Sequence, residues 1–194
     1  MREAIDDIKQ AIDILRNGGV VVYPTETVYG LGADALSERA VKKVYDIKKR
    51  ALDEPISLAV SSYEMMEQVA YVDSLELIKR FLPGPVTILL RKRDSVPDVL
   101  TAGSELVGVR LPVHPIAMQL IESFGSAITS TSANISGSAP PRKVDEVKVA
   151  ADLVLDGGVC KYGIPSTVVD LVNMKIVRKG ANYDEVKMLI ERYG

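Results

Sequence analysis

Two short segments of the chain combine side chains that could hydrogen-bond a polar or anionic ligand. They are PTETVYGLG (24–32) and TSTSANISG (129–137), and each comes directly after a run of apolar residues. Ligands of α/β proteins commonly bind where a strand ends, so both segments stand where a site is expected. Alternate side chains of an extended chain share a face, and Ser130, Ser132 and Asn134 would therefore project together. The alternative for both segments is an ordinary polar connection without a ligand.

Four cationic side chains are candidates for binding an anion. Lys48 lies seven residues after Val41 on the inward stripe of a predicted helix, so it should face the sheet, where a cation needs an anionic partner. Arg50 follows, where that helix should end. The alternative is that both cations simply complement the helix C-terminus. Arg110 and Arg178 lie in strand-like segments, where an arginine is commonly just exposed on the outer face.

The elements that must position these side chains follow from the apolar periodicity, which predicts an α/β fold with a mixed sheet. Helical spacing predicts helices at 3–17, from a Ser37 cap to about Lys48, and at 63–70, 74–82, 115–124, 143–150 and 183–193. Short apolar runs predict strands at 20–23, 55–60, from Val86, and at 107–111, 127–131, 152–155, 166–172 and 175–179. Because no composition break marks a linker, residues 1–194 are expected to form one domain.

Composition excludes several classes of protein and site. The 194 residues include 24 basic and 26 acidic side chains, which argues against a generally basic nucleic-acid-binding protein. A single cysteine, Cys160, and a single histidine, His114, exclude an internal disulfide and a zinc site built from cysteines or several imidazoles. The chain contains no phosphate-binding GxxxxGK[ST] loop and no GxSxG elbow. Its single cysteine, charged N-terminus and short apolar runs indicate a cytoplasmic protein without a membrane segment.

The order and spacing of several motifs add a family resemblance. Beside the two polar segments stand K-x-R (48–50), PGPVT (83–87), GVRLP (108–112), STVVD (166–170) and R-x-G (178–180). From about residue 8 to residue 181 this pattern resembles the YrdC family of threonylcarbamoyl-AMP synthases. The resemblance implies a twisted mixed β-sheet flanked by helices, a deep positively charged cleft, and the short single-domain form of the family.

The resemblance also implies the reaction and its partners. L-threonine, bicarbonate or CO2, and ATP would give threonylcarbamoyl-AMP and pyrophosphate. A separate threonylcarbamoyl transferase complex would then modify a tRNA adenosine. ATP is expected as a substrate that brings Mg²⁺ with it, because the sequence offers no dedicated pair of carboxylates for the metal. Direct binding of tRNA or double-stranded RNA is a further implied possibility.

Site residues are carried over by the same match. The implied catalytic set is Lys48, Arg50, Ser132 and Asn134. Contacts to threonine or bicarbonate are implied for Thr27, Arg110, Ser130 and Ser166, with Arg110 pairing bidentately with the threonine carboxylate. ATP contacts are implied for Lys48, Arg50, Glu54, Ser132, Pro140 and Arg178.

Three positions depart from the family pattern. Ala51 replaces a frequent proline, Glu54 a frequent asparagine, and Ala59 a histidine that touches the amino acid. These departures indicate a threonine pocket that is built differently or is less selective.

Two other functions compete with the synthase. One is a non-catalytic module that binds double-stranded RNA or tRNA, whose affinity would fall steeply with salt. The near-zero net charge and the scarcity of aromatic residues count against it. The other is carbamoyl transfer in hydrogenase maturation, where a related domain occurs. That role needs cysteine-rich and acylphosphatase modules, for which this chain has no room.

Overall fold

The computed structural model describes the backbone of residues 2–194 and the side chains of residues 6–194. Seven α-helices are α1 (Arg2–Arg16), α2 (Glu38–Lys48), α3 (Tyr63–Val69), α4 (Leu75–Ile78), α5 (Asp98–Thr101), α6 (Pro115–Phe124) and α7 (Tyr183–Tyr193). Nine strands are β1 (Val21–Tyr23), β2 (Gly30–Gly32), β3 (Ser57–Ala59), β4 (Val86–Arg91), β5 (Leu106–Arg110), β6 (Ile128–Ser132), β7 (Leu153–Val154), β8 (Thr167–Asp170) and β9 (Lys175–Arg178).

The strands form one twisted, unclosed sheet in the order β7-β1-β2-β6-β3-β5-β4-β8-β9. Parallel pairing joins β1 to β7, β3 to β5 and β4 to β8, and the remaining neighbours are antiparallel. The expected mixed sheet is therefore confirmed. Its order places β6, which begins at Ile128, far along the chain from the end of β3 at Ala59, directly between β2 and β3.

Apolar residues cover both faces of the sheet. On one face α1 and α6 pack over Tyr23 and Ile128 through buried residues that include Leu15 and Leu120. A larger cluster, to which α2, α3 and α7 contribute, fills the other face. These two layers hold the sheet between helices, which is the arrangement that the α/β pattern predicts.

The helix that carries the K-x-R motif has well-defined ends. The Ser37 hydroxyl caps α2 by accepting a hydrogen bond from the Ala40 backbone N–H at 3.4 Å, as predicted. Lys49 ends the helix in the left-handed conformation, with φ of 50°. This turn directs Lys48 into the protein and Arg50 along the following loop.

Several predicted elements differ from the structure. The helix expected at 143–150 is only a 3₁₀ turn at Val144–Glu146, and the one expected at 74–82 is α-helical only in α4. Strand β2, at the end of PTETVYGLG, was not among the expected strands, and α5 was not expected either. Within the described residues, none of the helices combines the length and apolarity that a membrane span requires.

Candidate active site

A cleft of about 130 Å³ lies across seven neighbouring strands of the sheet. Its polar wall includes Ser57 from β3, Thr87 from β4, Ser130 and Ser132 from β6, and Ser166 just before β8. Three arginines also line it: Arg50 after α2, Arg110 at the end of β5 and Arg178 at the end of β9. Segments far apart in the sequence therefore place cations and hydroxyl groups around one space.

The two glycines of β2 serve packing as well as the cleft wall. A Cβ atom on Gly30 or Gly32 would approach the ring of Tyr23 to 2.9 or 3.0 Å, which is too close for ordinary contact. Tyr23 is fully buried beneath them, and its hydroxyl donates to the Thr129 carbonyl at 3.1 Å. Their missing side chains make room for this ring, and Gly30 also lines the cleft.

Lys48 is buried, with 1% of its surface exposed, as the helical spacing predicts. Its Nζ donates to the backbone carbonyls of Ser132 at 2.5 Å and Asn134 at 2.8 Å. No carboxylate of residues 6–194 lies within ion-pair distance, so carbonyl dipoles replace the expected anionic partner. Burial, and then the charge of Arg50, lowers the pKa of Lys48 to about 8.

Arg50 lies along the loop that leads into β3. Its Nε and Nη2 donate to the carbonyls of Glu54 and Pro55, both at 3.1 Å. Its Nη1 pairs with the Glu54 carboxylate at 3.2 Å, although half of the Glu54 side chain is exposed. Glu54 itself does not line the cleft. Glu54 therefore reaches the candidate site through Arg50.

Arg110 is held from below by two residues of the PTETVYGLG segment. Its Nη2 donates to the Glu26 carboxylate at 2.6 Å and to the Thr27 hydroxyl at 3.0 Å. Thr27 lies in the cleft wall, but none of its surface is exposed. In this structure Thr27 thus orients Arg110, where the resemblance implied a direct contact to substrate.

Arg178 crosses from the edge strand β9 to the start of β8. It donates to the Ser166 carbonyl at 2.9 Å and to the Ser166 hydroxyl at 3.2 Å. That hydroxyl also shares a 2.7 Å hydrogen bond with Thr87. Arg178 is exposed as a residue, but partial burial of its guanidinium, together with the charges of Arg110 and Arg50, lowers the pKa of Arg178 below its ordinary value. The positive charges of Arg110 and Arg50 therefore act on Arg178 within the same cleft.

Asn134 lies beyond the end of β6 and does not line the cleft. Its Nδ2 donates to the carbonyls of Ile135 at 2.9 Å and Ser138 at 2.7 Å, which shapes the loop after β6. Its Oδ1 is buried without a partner. An acceptor left unsatisfied in this way has a cost that a donor from a ligand could remove.

Seven of the eleven predicted site residues meet in the cleft: Thr27, Arg50, Arg110, Ser130, Ser132, Ser166 and Arg178. Lys48 and Asn134 meet beside it through their shared contact, whereas Glu54 and Pro140 lie outside its lining. Ala59, the position of the missing histidine, is buried in the apolar cluster around Tyr23.

Sequence reasoning missed Glu26, Ser57 and Thr87. Thr87 stands in the PGPVT motif, which was a usable signal. Ser57 lies in no motif that could have identified it, because its place in the cleft depends on the strands that pair with β3. Among residues 6–194, no three His, Cys, Asp or Glu side chains are grouped so that they could hold a metal ion.

Comparison with known proteins places this chain in a family. The family model described as Sua5/YciO/YrdC, telomere recombination, matches residues 13–180. The chain belongs to the Sua5/YciO/YrdC family. Its membership agrees with the motifs that span 24–32 and 129–137.

One relative is the threonylcarbamoyl-AMP synthase of Pyrococcus abyssi (strain GE5 / Orsay). It is 42% identical over 180 residues, which cover 88% of this chain and 53% of the relative. The chain thus spans about half the length of that protein. The crystal structure of P. abyssi Sua5 complexed with L-threonine matches with a TM-score of 0.87 at 40% identity, over 94% of this chain and 57% of that one.

A second solved structure supports the architecture along nearly the whole length of both chains. Escherichia coli YciO matches with a TM-score of 0.78 at 29% identity, and the match covers 90% of this chain and 89% of that one. The unclosed, twisted sheet between helices is therefore the fold of this family.

Proposed function

We propose that the chain is an L-threonylcarbamoyladenylate synthase that converts L-threonine, bicarbonate or CO2, and ATP into threonylcarbamoyl-AMP and pyrophosphate. The observation that carries this proposal is the convergence of Arg50, Arg110 and Arg178 with a row of hydroxyl groups in one cleft. The name of the P. abyssi relative, and the threonine bound in its structure, support the same function.

The chemistry requires no covalent enzyme intermediate. The threonine amine adds to CO2 and loses a proton to give a carbamate. A carbamate oxygen then attacks the α-phosphorus of ATP, and the bond to pyrophosphate breaks. Every step moves negative charge, so catalysis depends on positioning and on stabilising charge. The cleft, with its cations and hydroxyl groups, suits such a reaction.

We assign the nucleotide to the side of the cleft that Arg50, Ser132 and Arg178 form. Lys48 holds the Ser132–Asn134 segment and adds its positive charge from below. A well-placed donor of this kind contributes roughly 3 kcal/mol to transition-state stabilisation. Glu54 would act through Arg50, and Pro140 would pack near the nucleotide.

We assign the threonine carboxylate to Arg110, with Ser130 and Ser166 as further donors to threonine or bicarbonate. Both hydrogens of Arg110 Nη2 are already used by Glu26 and Thr27, and Nε is buried. Pairing through two nitrogens, as the resemblance implied, is therefore not available in this conformation. The carboxylate would instead bind through Nη1 alone.

Mg²⁺ would come with ATP, held mainly by phosphate oxygens and water, since Mg²⁺ commonly binds through substrate phosphates. We place the reaction in the cytoplasm, where a transferase complex would use the product to modify tRNA. The continuous nine-stranded sheet supports one catalytic domain over residues 1–194.

A non-catalytic module for tRNA or double-stranded RNA is less well supported. An RNA backbone needs a broad basic surface, whereas these arginines converge within a cleft of about 130 Å³. Direct RNA binding alongside catalysis remains a separate proposal. Such binding would be recognised by an affinity for RNA that falls steeply with salt concentration.

Isotope-labelled bicarbonate tests the proposed reaction. With ATP and L-threonine, we expect the label in a product that also contains AMP. Arg50→Ala should abolish most of this product while the protein remains folded, and Lys49→Met, at an exposed neighbouring position, should not. An adenylate that forms equally well without bicarbonate would contradict the proposal.

A further inference from the structure

Glu26 is a buried carboxylate beneath the cleft, with 4% of its surface exposed. One oxygen accepts from Arg110 Nη2 at 2.6 Å, and the other accepts from the Val113 backbone N–H at 3.2 Å. The side chains of the pair are only 8% and 4% exposed. A buried ion pair is costly to break but is not by itself a strong source of stability. Stability alone therefore does not explain why the Glu26–Arg110 pair lies at the cleft.

The ion pair decides which nitrogen of Arg110 a ligand can reach. Nη2 carries two hydrogens, and Glu26 and Thr27 take both. Nε is buried and has no partner. Nη1 is then the guanidinium nitrogen that Arg110 can offer to the cleft. Glu26 thereby sets both the orientation and the donor capacity of this arginine.

The three arginines of the cleft differ in how far a carboxylate balances their charge. Glu26 balances Arg110 inside the protein, where water screens little. Glu54 balances Arg50 from a position that is half exposed. Arg178 contacts no carboxylate of residues 6–194 and donates only to Ser166. Unbalanced positive charge therefore lies toward Arg178 and Lys48, away from Arg110.

We propose that Glu26 is a positioning residue that reserves the Arg110 end of the cleft for a carboxylate and excludes phosphate groups from it. Glu26 and Arg110 both act about twice as strongly on a doubly charged phosphate as on a carboxylate, so their opposite effects largely cancel and the second phosphate charge gains little at this pair. At Arg178, which pairs with no carboxylate of residues 6–194, the second charge gains the full attraction. Nη1 of Arg110 is a single donor on an ion pair without net charge, and such a donor suits a singly charged group. This inference rests on the proposed function, in which that group belongs to threonine.

Glu26→Gln keeps the size of the side chain and removes its charge. We expect the KM for threonine to rise about tenfold, as for the loss of one ordered charge-assisted contact, while the KM for ATP stays within about twofold. Inorganic pyrophosphate should become a competitor of threonine in this variant. In the wild-type protein, pyrophosphate should compete with ATP alone.

Asp170→Asn is the matched control. Asp170 is also 4% exposed and accepts from the Val172 and Asn173 backbone N–H groups, but it closes the β8–β9 turn outside the cleft lining. It should lower the melting temperature without changing the ratio of the two KM values. Equal changes of both KM values in Glu26→Gln, or pyrophosphate competition like that of the wild type, would overturn the inference.

If Glu26→Gln does not fold, Glu26→Asp retains the charge but withdraws the carboxylate from Arg110 by one methylene group, and it should raise the KM for threonine alone. An unchanged KM for threonine in Glu26→Asp would then overturn the inference. Failure of the proposed function is seen separately, as wild-type protein that shows no threonine-dependent turnover.

Discussion

Lys48 keeps a positive charge inside the protein by donating to two backbone carbonyls of the segment that follows β6. These carbonyls belong to Ser132 and Asn134, so the side chain joins the end of α2 to the loop at the cleft. Burial and the nearby charge of Arg50 lower the pKa of Lys48 to about 8. A cation with a pKa so close to neutral pH can lose its charge within the range of an enzyme assay.

This lowered pKa predicts how activity depends on pH. Lys48 is protonated below about pH 8 and becomes neutral as the pH rises through that value. We therefore expect kcat/KM for ATP to fall above about pH 8, by about tenfold per pH unit, because this parameter reports ionisations of the free enzyme. Bound triphosphate should raise the pKa and move the corresponding fall in kcat to higher pH.

Lys48→Arg provides the comparison for this profile, because an arginine stays charged throughout the range. Its residual activity should show no decline near pH 8. Lys49→Met, at the exposed position next to it, should keep the wild-type profile. A decline near pH 8 that persists in Lys48→Arg would assign the ionisation to another group.

Sequence reasoning at the residue scale succeeded where a local pattern carried the information. Helical spacing was enough to place Lys48 inside. Glu26 was not identified, because the partner that gives it meaning, Arg110, is 84 positions away in the chain. In the sequence, a glutamate between two threonines is typical of an ordinary turn. Its role becomes visible only in the folded protein, where Arg110 at the end of β5 contacts it.

At the scale of elements, the end of β9 is packed against the start of β8 more closely than any side chain would allow. A Cβ atom on Gly180 would collide with the carbonyl oxygens of Pro165 and Ser166. The Ala181 backbone N–H donates to the Pro165 carbonyl at 2.8 Å, which holds the two segments together. This approach lets Arg178 reach Ser166 across the cleft.

Gly180→Ala tests whether that contact supports the cleft. The added methyl group meets backbone atoms, which cannot rotate away, so we expect a loss of about 1–3 kcal/mol of stability. The melting temperature should fall by about 2–4 °C for each kcal/mol. The KM for ATP should rise as well, because Arg178 and Ser166 would move apart.

Lys179→Ala is the control for the glycine substitution, since Lys179 is exposed on the adjacent position. It should leave both the melting temperature and the KM for ATP close to their wild-type values. A Gly180→Ala protein with unchanged stability and KM would show that the close approach has no part in building the site.

Two of the segments that the sequence did not predict correctly share a physical cause. Glycines are depleted in strands, so Gly30-Leu31-Gly32 was not predicted as a strand, yet β2 needs these glycines to accommodate Tyr23. The segment 143–150 has helical spacing, but contacts elsewhere in the protein hold both of its ends. The Arg142 carbonyl accepts from Cys160, and the Asp152 N–H donates to Val20. Tertiary pairing overrides local propensity in both cases.

At the scale of the whole molecule, the sheet order determines the site. Seven adjacent strands, from β2 to β9, border the cleft, and they come from most of the chain. The α/β class and many element positions could be predicted from periodicity alone. The strand order could not, because it depends on which distant strands pair. For the same reason, the residues of the cleft wall without a motif, such as Ser57, were not predicted.

The most direct test of the account is pyrophosphate release measured with ATP, bicarbonate and each amino acid in turn. We expect release that requires L-threonine and bicarbonate together, since the carbamate is the group that attacks ATP. Release without bicarbonate, or equal release with serine or alanine, would contradict it.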